Sequence, residues 1–244
     1  MTRAASLALL AVLALGACDR LSAQNASKDD AAFGERVRAY ILSHPEVIQE
    51  AVEKLQAKQD ADAEAAENKA RAMLPSVRTA LERDPRDFVA NPNGRITVTE
   101  FYDYRCPHCV NAAPKVLALI AANPDLRFVF KEAPIFGPTS QHAAKAALAV
   151  RKAGGDYLGL YKALMATHGL DEAAIDKIAM ANGATQADLK DPMVGAKQLA
   201  DISALFSRLD LGGTPAFIVG NDIIYGEDMD ALNAAIAKAR GGKG

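Results

Sequence analysis

The chain is predicted to fold as an α/β protein: a four-stranded mixed sheet carrying a long helical insertion, preceded by a helical segment. Two short runs rich in β-branched and aromatic residues, ITVTEFY and LRFVFKEAP, flank a helical pattern and mark a βαβ unit. A second pair of runs near the end, TPAFIVG and IIYGE, is separated only by Asn221-Asp222 and reads as an antiparallel hairpin. Between these pairs, from about residue 139 to 210, every pattern is helical.

The 244 residues, half of them apolar, suffice for one domain core and an additional segment. With 28 basic and 30 acidic residues interspersed and a net charge of −2, the chain lacks the basic footprint of a nucleic-acid-binding protein. Its three cysteines, Cys18, Cys106 and Cys109, are too few for a disulfide-stapled scaffold.

Taken in order, residues 1–24 read as a secretory signal: Arg3, an apolar run from Ala4 to Ala17, and a polar exit. The run is too short to serve as a permanent membrane span, so the mature protein is expected outside the cytoplasm, in a periplasm where disulfides persist. Leu15-Gly16-Ala17-Cys18 also resembles a bacterial lipoprotein signal, in which Cys18 would carry a lipid anchor. Ordinary cleavage nearby would leave Cys18 without a role.

Residues 29–85 read as a helical oligomerisation stalk and linker. Phe33, Val37, Tyr40 and Ile41 form one apolar stripe at helical spacing. The Ser43 and Glu46 pair has capping-box spacing, with Pro45 in the first turn, so a second helix is expected to start there. It opens with Val47, Ile48, Ala51, Val52 and Leu55, then becomes QAKQDADAEAAENKARA, a solvated spacer or flexible linker with little to bury. Continuous helix over 46–74 would span roughly 40 Å at about 1.5 Å per residue, and Pro75 is expected to kink or end it. A short helix pair with so apolar a stripe needs cover, either from its own domain or from other copies of the chain. The polar spacer favours other copies.

From residue 90 to 244 the pattern is that of the sheet domain. Its chemistry lies in RCPHC, residues 105–109, where the first strand gives way to a helix. Cys106 would sit at the helix N-terminus, where free amides and the helix dipole favour a thiolate. Cys109, one turn further on, would face inward and attack a mixed disulfide formed at Cys106. Pro107 restricts the backbone between them, and His108 would place an imidazole beside the Cys106 sulfur. A stabilised thiolate makes the disulfide more oxidising. A metal centre is not expected, because there is no second cysteine pair and His44, His142 and His168 lack ligand spacing. Thr214-Pro215, after a glycine pair, is either a trans proline opening an edge strand or a cis turn that brings the Thr214 backbone to the cysteines as a substrate-binding edge.

NPNGRITVTEFYDYRCPHC, EAPIFG and GGTPAFIVG together resemble the DsbA-type thioredoxin-fold thiol oxidoreductases of the bacterial envelope, most closely the suppressor of copper sensitivity protein C group. The resemblance covers about residues 90 to 240. It implies a thioredoxin fold with an inserted helical domain, a cis bond before Pro215, and no cofactor beyond a redox-active Cys106–Cys109 disulfide. It also implies that Glu100 is a buried acid moving a proton for Cys109; a solvated strand residue is the plainer reading, and Lys131 is either its partner or an edge charge. Members with an added amino-terminal stalk are trimeric disulfide isomerases. This chain is therefore expected to be an oligomeric isomerase acting on misfolded or oxidised envelope proteins, with a membrane thiol reductase as electron donor. A monomeric dithiol oxidase and a Cu(I)-binding protein using the reduced pair are the alternatives.

Overall fold

The computed structural model describes residues 30–242, so the signal sequence and Cys18 lie outside the described residues. The chain divides into two compact units, one ending at Ala63 and one beginning at Glu64.

In the first unit, α1 (30–43) is followed by the start of α2 (Glu46–Glu82). The second helix begins at the expected residue, but the capping box does not form. Ser43 still belongs to α1, and its hydroxyl donates back to the carbonyls of Ala39 (2.9 Å) and Tyr40 (3.0 Å). Phe33, Val37, Tyr40, Val47, Ile48, Val52 and Leu55 are all exposed, with Phe33 and Val52 each at 60 %.

The second unit is built on a five-stranded sheet of order β1-β3-β2-β4-β5, with strands Phe88–Ala90, Ile96–Tyr102, Leu126–Glu132, Ala216–Val219 and Asp222–Tyr225. The expected four strands are present, and the fifth, β1, is a correction. Its three residues pair antiparallel with β3, Val89 opposite Val129, and are too short to carry a periodic signal. Strands β2 and β3 are parallel, joined through α3 (Pro107–Ala122), and β4 and β5 form the antiparallel hairpin. Gly94 permits the turn into β2, since a Cβ there would lie 2.4 Å from the Arg127 amide nitrogen. The insertion comprises α4 (Pro138–Ala153), α5 (Tyr157–Ala166), α6 (Glu172–Ala181), α7 (Gln186–Lys190) and α8 (Ala196–Arg208); α9 (Met229–Gly241) closes the chain.

Alternation along β2 separates two cores. Val98 and Tyr102 join Phe128, Phe130, Val116 and residues of α4 and α5 on one face. Phe101 joins Ala216, Ile218, Leu205 and Leu209 on the other. The last part of α2 is also in this second core. Ala70, Leu74, Val77 and Leu81 are 0–4 % exposed and lie on one helical stripe.

The segment 29–85 is thus not one stalk, and Pro75 does not end the helix. Three side chains of the sheet fill the helix's last orphan carbonyls: Lys131 donates to Ala80 (2.6 Å), Thr99 to Leu81 (3.3 Å) and Arg127 to Glu82 (2.6 Å). Two of these donors are cations at the negative end of a helix, where they are most favourable. Leu74→Ala is therefore expected to lower unfolding stability by roughly 3 kcal/mol, as buried Leu-to-Ala changes do. Leu55→Ala, in the exposed stripe, should leave the second unit unchanged in the same urea titration.

Candidate active site

Strand β2 ends at Tyr102, and the chain turns through Asp103 to Arg105 before α3 starts at Pro107. Asp103, only 2 % exposed, fastens that turn. One carboxylate oxygen accepts from the Arg105 amide (2.7 Å) and the Ser140 hydroxyl (2.8 Å), the other from the amides of Ile135 (2.7 Å) and Phe136 (3.0 Å). The EAPIFG loop is thereby tied to the cysteine turn. Sequence reasoning missed Asp103, although its place three residues before Cys106 is where a turn needs an acceptor.

Cys106 occupies the N-cap of α3 in extended conformation, and Pro107 takes the first helical position. Both cysteines are in the dithiol form and buried, Cys106 at 1 % and Cys109 at 0 % exposure. The Thr214–Pro215 bond is cis, and the Thr214 carbonyl lies 3.0 Å from the Cys106 sulfur, where it accepts from Cys106 whenever that sulfur is protonated. The structure thus brings together Cys106, Cys109, Thr214 and Pro215, four of the residues expected from the sequence.

The two sulfurs are electrically unlike. A hydrogen bond from the Cys109 thiol, against the cost of burial, holds the Cys106 pKa down to about 5; the amides of Cys109 and His108 add to the effect. Burial, followed by that same bond to Cys106, pushes the Cys109 thiol far above its ordinary range. One sulfur is therefore a thiolate at neutral pH and the other a thiol. His108 contributes through its backbone amide, while its exposed ring points to Glu227, with Nδ1 3.3 Å from Oε1.

Glu100 is fully buried, and neither carboxyl oxygen has a hydrogen-bond partner of normal geometry. Burial lifts its pKa to about 8, and the Tyr161 hydroxyl opposes this only in part. The plainer expectation of a solvated strand residue does not hold. Nor is Lys131 its partner: in the parallel register Glu100 lies opposite Phe130, so Lys131, one residue on, points to the other face. There Lys131 forms a buried ion pair with Asp87, which also accepts from Gln198 (3.1 Å).

A cavity of about 390 Å³ opens beside the cysteines, lined among others by Tyr104, Arg105, Pro107, Val110, His168 and Leu170.

Residues 97–237 match the family described as the DSBA-like thioredoxin domain, and residues 29–61 match the copper resistance protein ScsC N-terminal domain. Among solved structures, the chain is similar to a thioredoxin-like oxidoreductase from Silicibacter pomeroyi DSS-3, at 38 % identity and a TM-score of 0.62 over 68 % of this chain and 99 % of that one. It is similar to BcfH of Salmonella enterica Typhimurium at 32 % identity and 0.65, covering 88 % and 97 %. It is also similar to a linker-deletion variant of Proteus mirabilis ScsC at 25 % identity and 0.64, covering 81 % and 94 %. The chain spans about a quarter of the length of the curated relatives it matches: 29 % identity over 172 residues with the Na(+)/H(+) antiporter NhaA 3 of Salinispora tropica is 64 % of this chain and 25 % of that protein.

The raised pKa of Glu100 makes stability depend on pH. Its neutral form is favoured by folding, so the contribution is full below the ordinary value of 4.5 and is lost as pH rises through about 8. Cys106, with a lowered pKa, acts in the opposite sense, so the comparison of two proteins isolates the acid. Between pH 5 and pH 8.5, Glu100→Gln should gain on the wild type by on the order of 3 kcal/mol in denaturant titrations. A constant difference across that range would show that Glu100 keeps an ordinary pKa.

Proposed function

The chain belongs to the DSBA-like thioredoxin domain family, and on that premise we propose that it is a periplasmic thiol–disulfide oxidoreductase working as an oligomeric protein disulfide isomerase. The observation that carries the redox reading is the polarised dithiol: Cys106 held as a thiolate and Cys109 as a thiol, beside the Thr214 backbone.

The Cys106 thiolate attacks one sulfur of a wrong disulfide in a misfolded envelope protein. A Cys106–substrate bond forms, the substrate bond breaks, and the other substrate sulfur leaves as a thiolate. That thiolate attacks elsewhere in the substrate until a sulfur of the substrate displaces Cys106, which departs readily because its thiolate is stable. Cys109 is the escape route. It loses its proton to the Glu100 carboxylate and attacks Cys106, breaking the Cys106–substrate bond so that the substrate sulfur leaves as a thiolate. The enzyme disulfide that remains must receive two electrons from a membrane thiol reductase. Thr214 and Pro215 present backbone edge to an extended substrate, and Pro107 fixes the geometry between the two thiols.

The isomerase and oligomer parts of the reading rest on the exposed stripe of the first unit and on its match to the ScsC N-terminal domain. Burying each such side chain between copies is worth roughly 1.5–3 kcal/mol. Assembly as a trimer would hold several dithiols near one substrate and raise their effective concentration.

A second reading, Cu(I) held between the two adjacent sulfurs of the reduced pair, is favoured by their mutual hydrogen bond and the soft character of thiolates. Among the described residues no group of three His, Cys, Asp or Glu side chains could hold a metal ion. Anaerobic Cu(I) titration of the wild type and of Cys106→Ser separates the readings, since a carrier binds stoichiometrically and loses the ion with Cys106.

Val37→Glu combined with Val52→Glu places charge in the stripe without touching the second unit. The double variant is expected to sediment as a monomer and to refold scrambled ribonuclease at least about tenfold more slowly than the wild type. Its reaction with a small dithiol should remain within about twofold. A wild type that is already monomeric, or a monomeric variant with undiminished isomerase activity, would overturn the oligomeric reading. Truncation at Arg86 would not serve, because it removes Leu74 and Leu81 from the core.

A further inference from the structure

Behind the dithiol, four buried tyrosines gather around two buried acids. Tyr102 ends β2 and Tyr104 lies in the turn after it; from α5, Tyr161 meets both rings edge-on and Tyr157, four residues earlier, reaches Tyr102 through its hydroxyl. All four are at most 2 % exposed. Glu132 closes β3, 1 % exposed, and lies directly opposite Tyr102 in the parallel register. Since Glu100 lies opposite Phe130, the two acids share one face of the sheet, one alternation step apart on neighbouring strands.

The hydroxyls form a directed chain. Tyr157 donates to Glu132 Oε1, the Tyr102 and Tyr157 hydroxyls are 2.7 Å apart, and those of Tyr104 and Tyr102 are 2.9 Å apart. A phenol carries one hydrogen. With Glu132 ionised, Tyr157 must accept from Tyr102 and Tyr102 from Tyr104, so all three hydrogens point toward Glu132 and away from the cysteines. With Glu132 protonated, its own O–H can donate to Tyr157, and the chain can reverse. The Tyr104 hydrogen is then free to turn elsewhere. Tyr104 precedes Cys106 by two residues and feels the charge of both acids.

We propose that Glu132 is a second proton-holding group of the dithiol site, coupled to Glu100 by charge across the sheet face they share and by the orientation of the Tyr157, Tyr102 and Tyr104 hydroxyls. It touches no reacting sulfur and acts through Glu100, as a positioning residue. The inference rests on the dithiol reading above. When Cys109 resolves a mixed disulfide, its thiol proton passes to the Glu100 carboxylate, the Cys109 sulfur bonds to Cys106, and the Cys106–substrate bond breaks with its electron pair leaving on the substrate sulfur. Glu132 changes no bond in this step. Its charge, and the hydroxyl orientation it imposes, make ionised Glu100 less favourable, so Glu100 is a stronger base when Glu132 is ionised.

Burial pushes the Glu132 pKa up to about 7, against the Tyr157 hydrogen bond, so the group changes state near neutral pH. The other charges that reach it are Asp87, ahead of β1, which opposes its ionisation, and Lys131, its neighbour on β3, which favours it. From β2, the turn after it and α5 the phenols of Tyr102, Tyr104 and Tyr157 surround it, each held well above the ordinary tyrosine value by burial, and Glu100 lies one alternation step away on the same face.

Infrared titration of the carboxyl C=O stretch in the reduced protein reads both acids whether or not exchange occurs. The wild type should show two protonated buried carboxyls ionising between about pH 6 and 9. Glu132→Gln should remove the lower step and shift the remaining one, identified by its loss in Glu100→Gln, down by about half a unit or more. Tyr157→Phe keeps the ring and both acids but cuts the relay; it should raise the Glu132 step and shift the Glu100 step, and it decides the matter should Glu132→Gln fail to fold. The rate of Cys106–Cys109 closure, followed by stopped flow, should move with the Glu100 step. A Glu100 ionisation unchanged in both Glu132→Gln and Tyr157→Phe would overturn the coupling. A wild type that shows the two carboxyl steps yet never exchanges with any disulfide would instead overturn the dithiol reading.

Discussion

The antiparallel pairing of β2 with β4 is the constraint on which the site depends. Its register sets Phe101 opposite Ala216, so the chain segments just beyond the paired residues, the cysteine turn on one side and Thr214-Pro215 on the other, leave the sheet at the same end. That is why residues 108 positions apart meet, with the Cys106 thiol on the Thr214 carbonyl. A slip of one residue would move every β2 side chain to the opposite face. Glu100 would leave the tyrosine face, and Phe101 would leave the core it shares with α2 and α8. The same register therefore fixes the substrate edge, the acid and the packing.

Because helices cover both sides of the sheet, β2 is buried on both faces, and an ionisable residue in it is dehydrated wherever it points. The two faces treat charge differently. Lys131 and Asp87 meet as an ion pair among the residues that hold the end of α2, and the pair is supplemented by the Ala80 carbonyl and Gln198. Glu100, on the other face, has neither a cation nor a hydrogen bond of normal geometry. An unpaired buried acid has a raised pKa, so its carboxylate form is a stronger base than an exposed carboxylate, which is the property a proton acceptor for Cys109 needs.

Four of the five strands and the helix after the cysteines were legible because each is local: alternation and a helix-start proline announce themselves within ten residues, whereas β1 is too short to do so and the residues alone left Thr214-Pro215 open between a trans and a cis bond. What was not legible depends on register between strands. Lys131 looked like a partner for Glu100 because both lie in neighbouring strands, yet their faces differ by one residue of alternation. The role of α2 was hidden for another reason. Ala70, Leu74, Val77 and Leu81 are spaced as a buried stripe, but they sit in an Ala-, Glu- and Lys-rich run interrupted by Pro75, and composition outweighed spacing. Pro75 removes one amide donor, and contacts such as Arg78 to the Gly220 carbonyl (2.6 Å) hold the helix onto the sheet regardless.

The chemistry of the cysteine pair also bears on the direction of electron flow. Read alone, a Cys106 pKa of about 5 points to an oxidant, since a stable thiolate disfavours the enzyme disulfide. The same stability makes Cys106 a good leaving group, and a shuffling enzyme must leave its substrate as readily as it attacks. What divides the two activities is the speed of the competing exit through Cys109. Burial holds Cys109 as a thiol, so that exit waits on a proton acceptor in the sheet. When the exit is slow, the mixed disulfide at Cys106 persists long enough for substrate thiolates to exchange among themselves; when it is fast, the substrate is released reduced. On the proposed reading, the buried acids beneath the dithiol would set the balance between reducing a wrong bond and rearranging it, a balance the C-P-H-C motif does not contain.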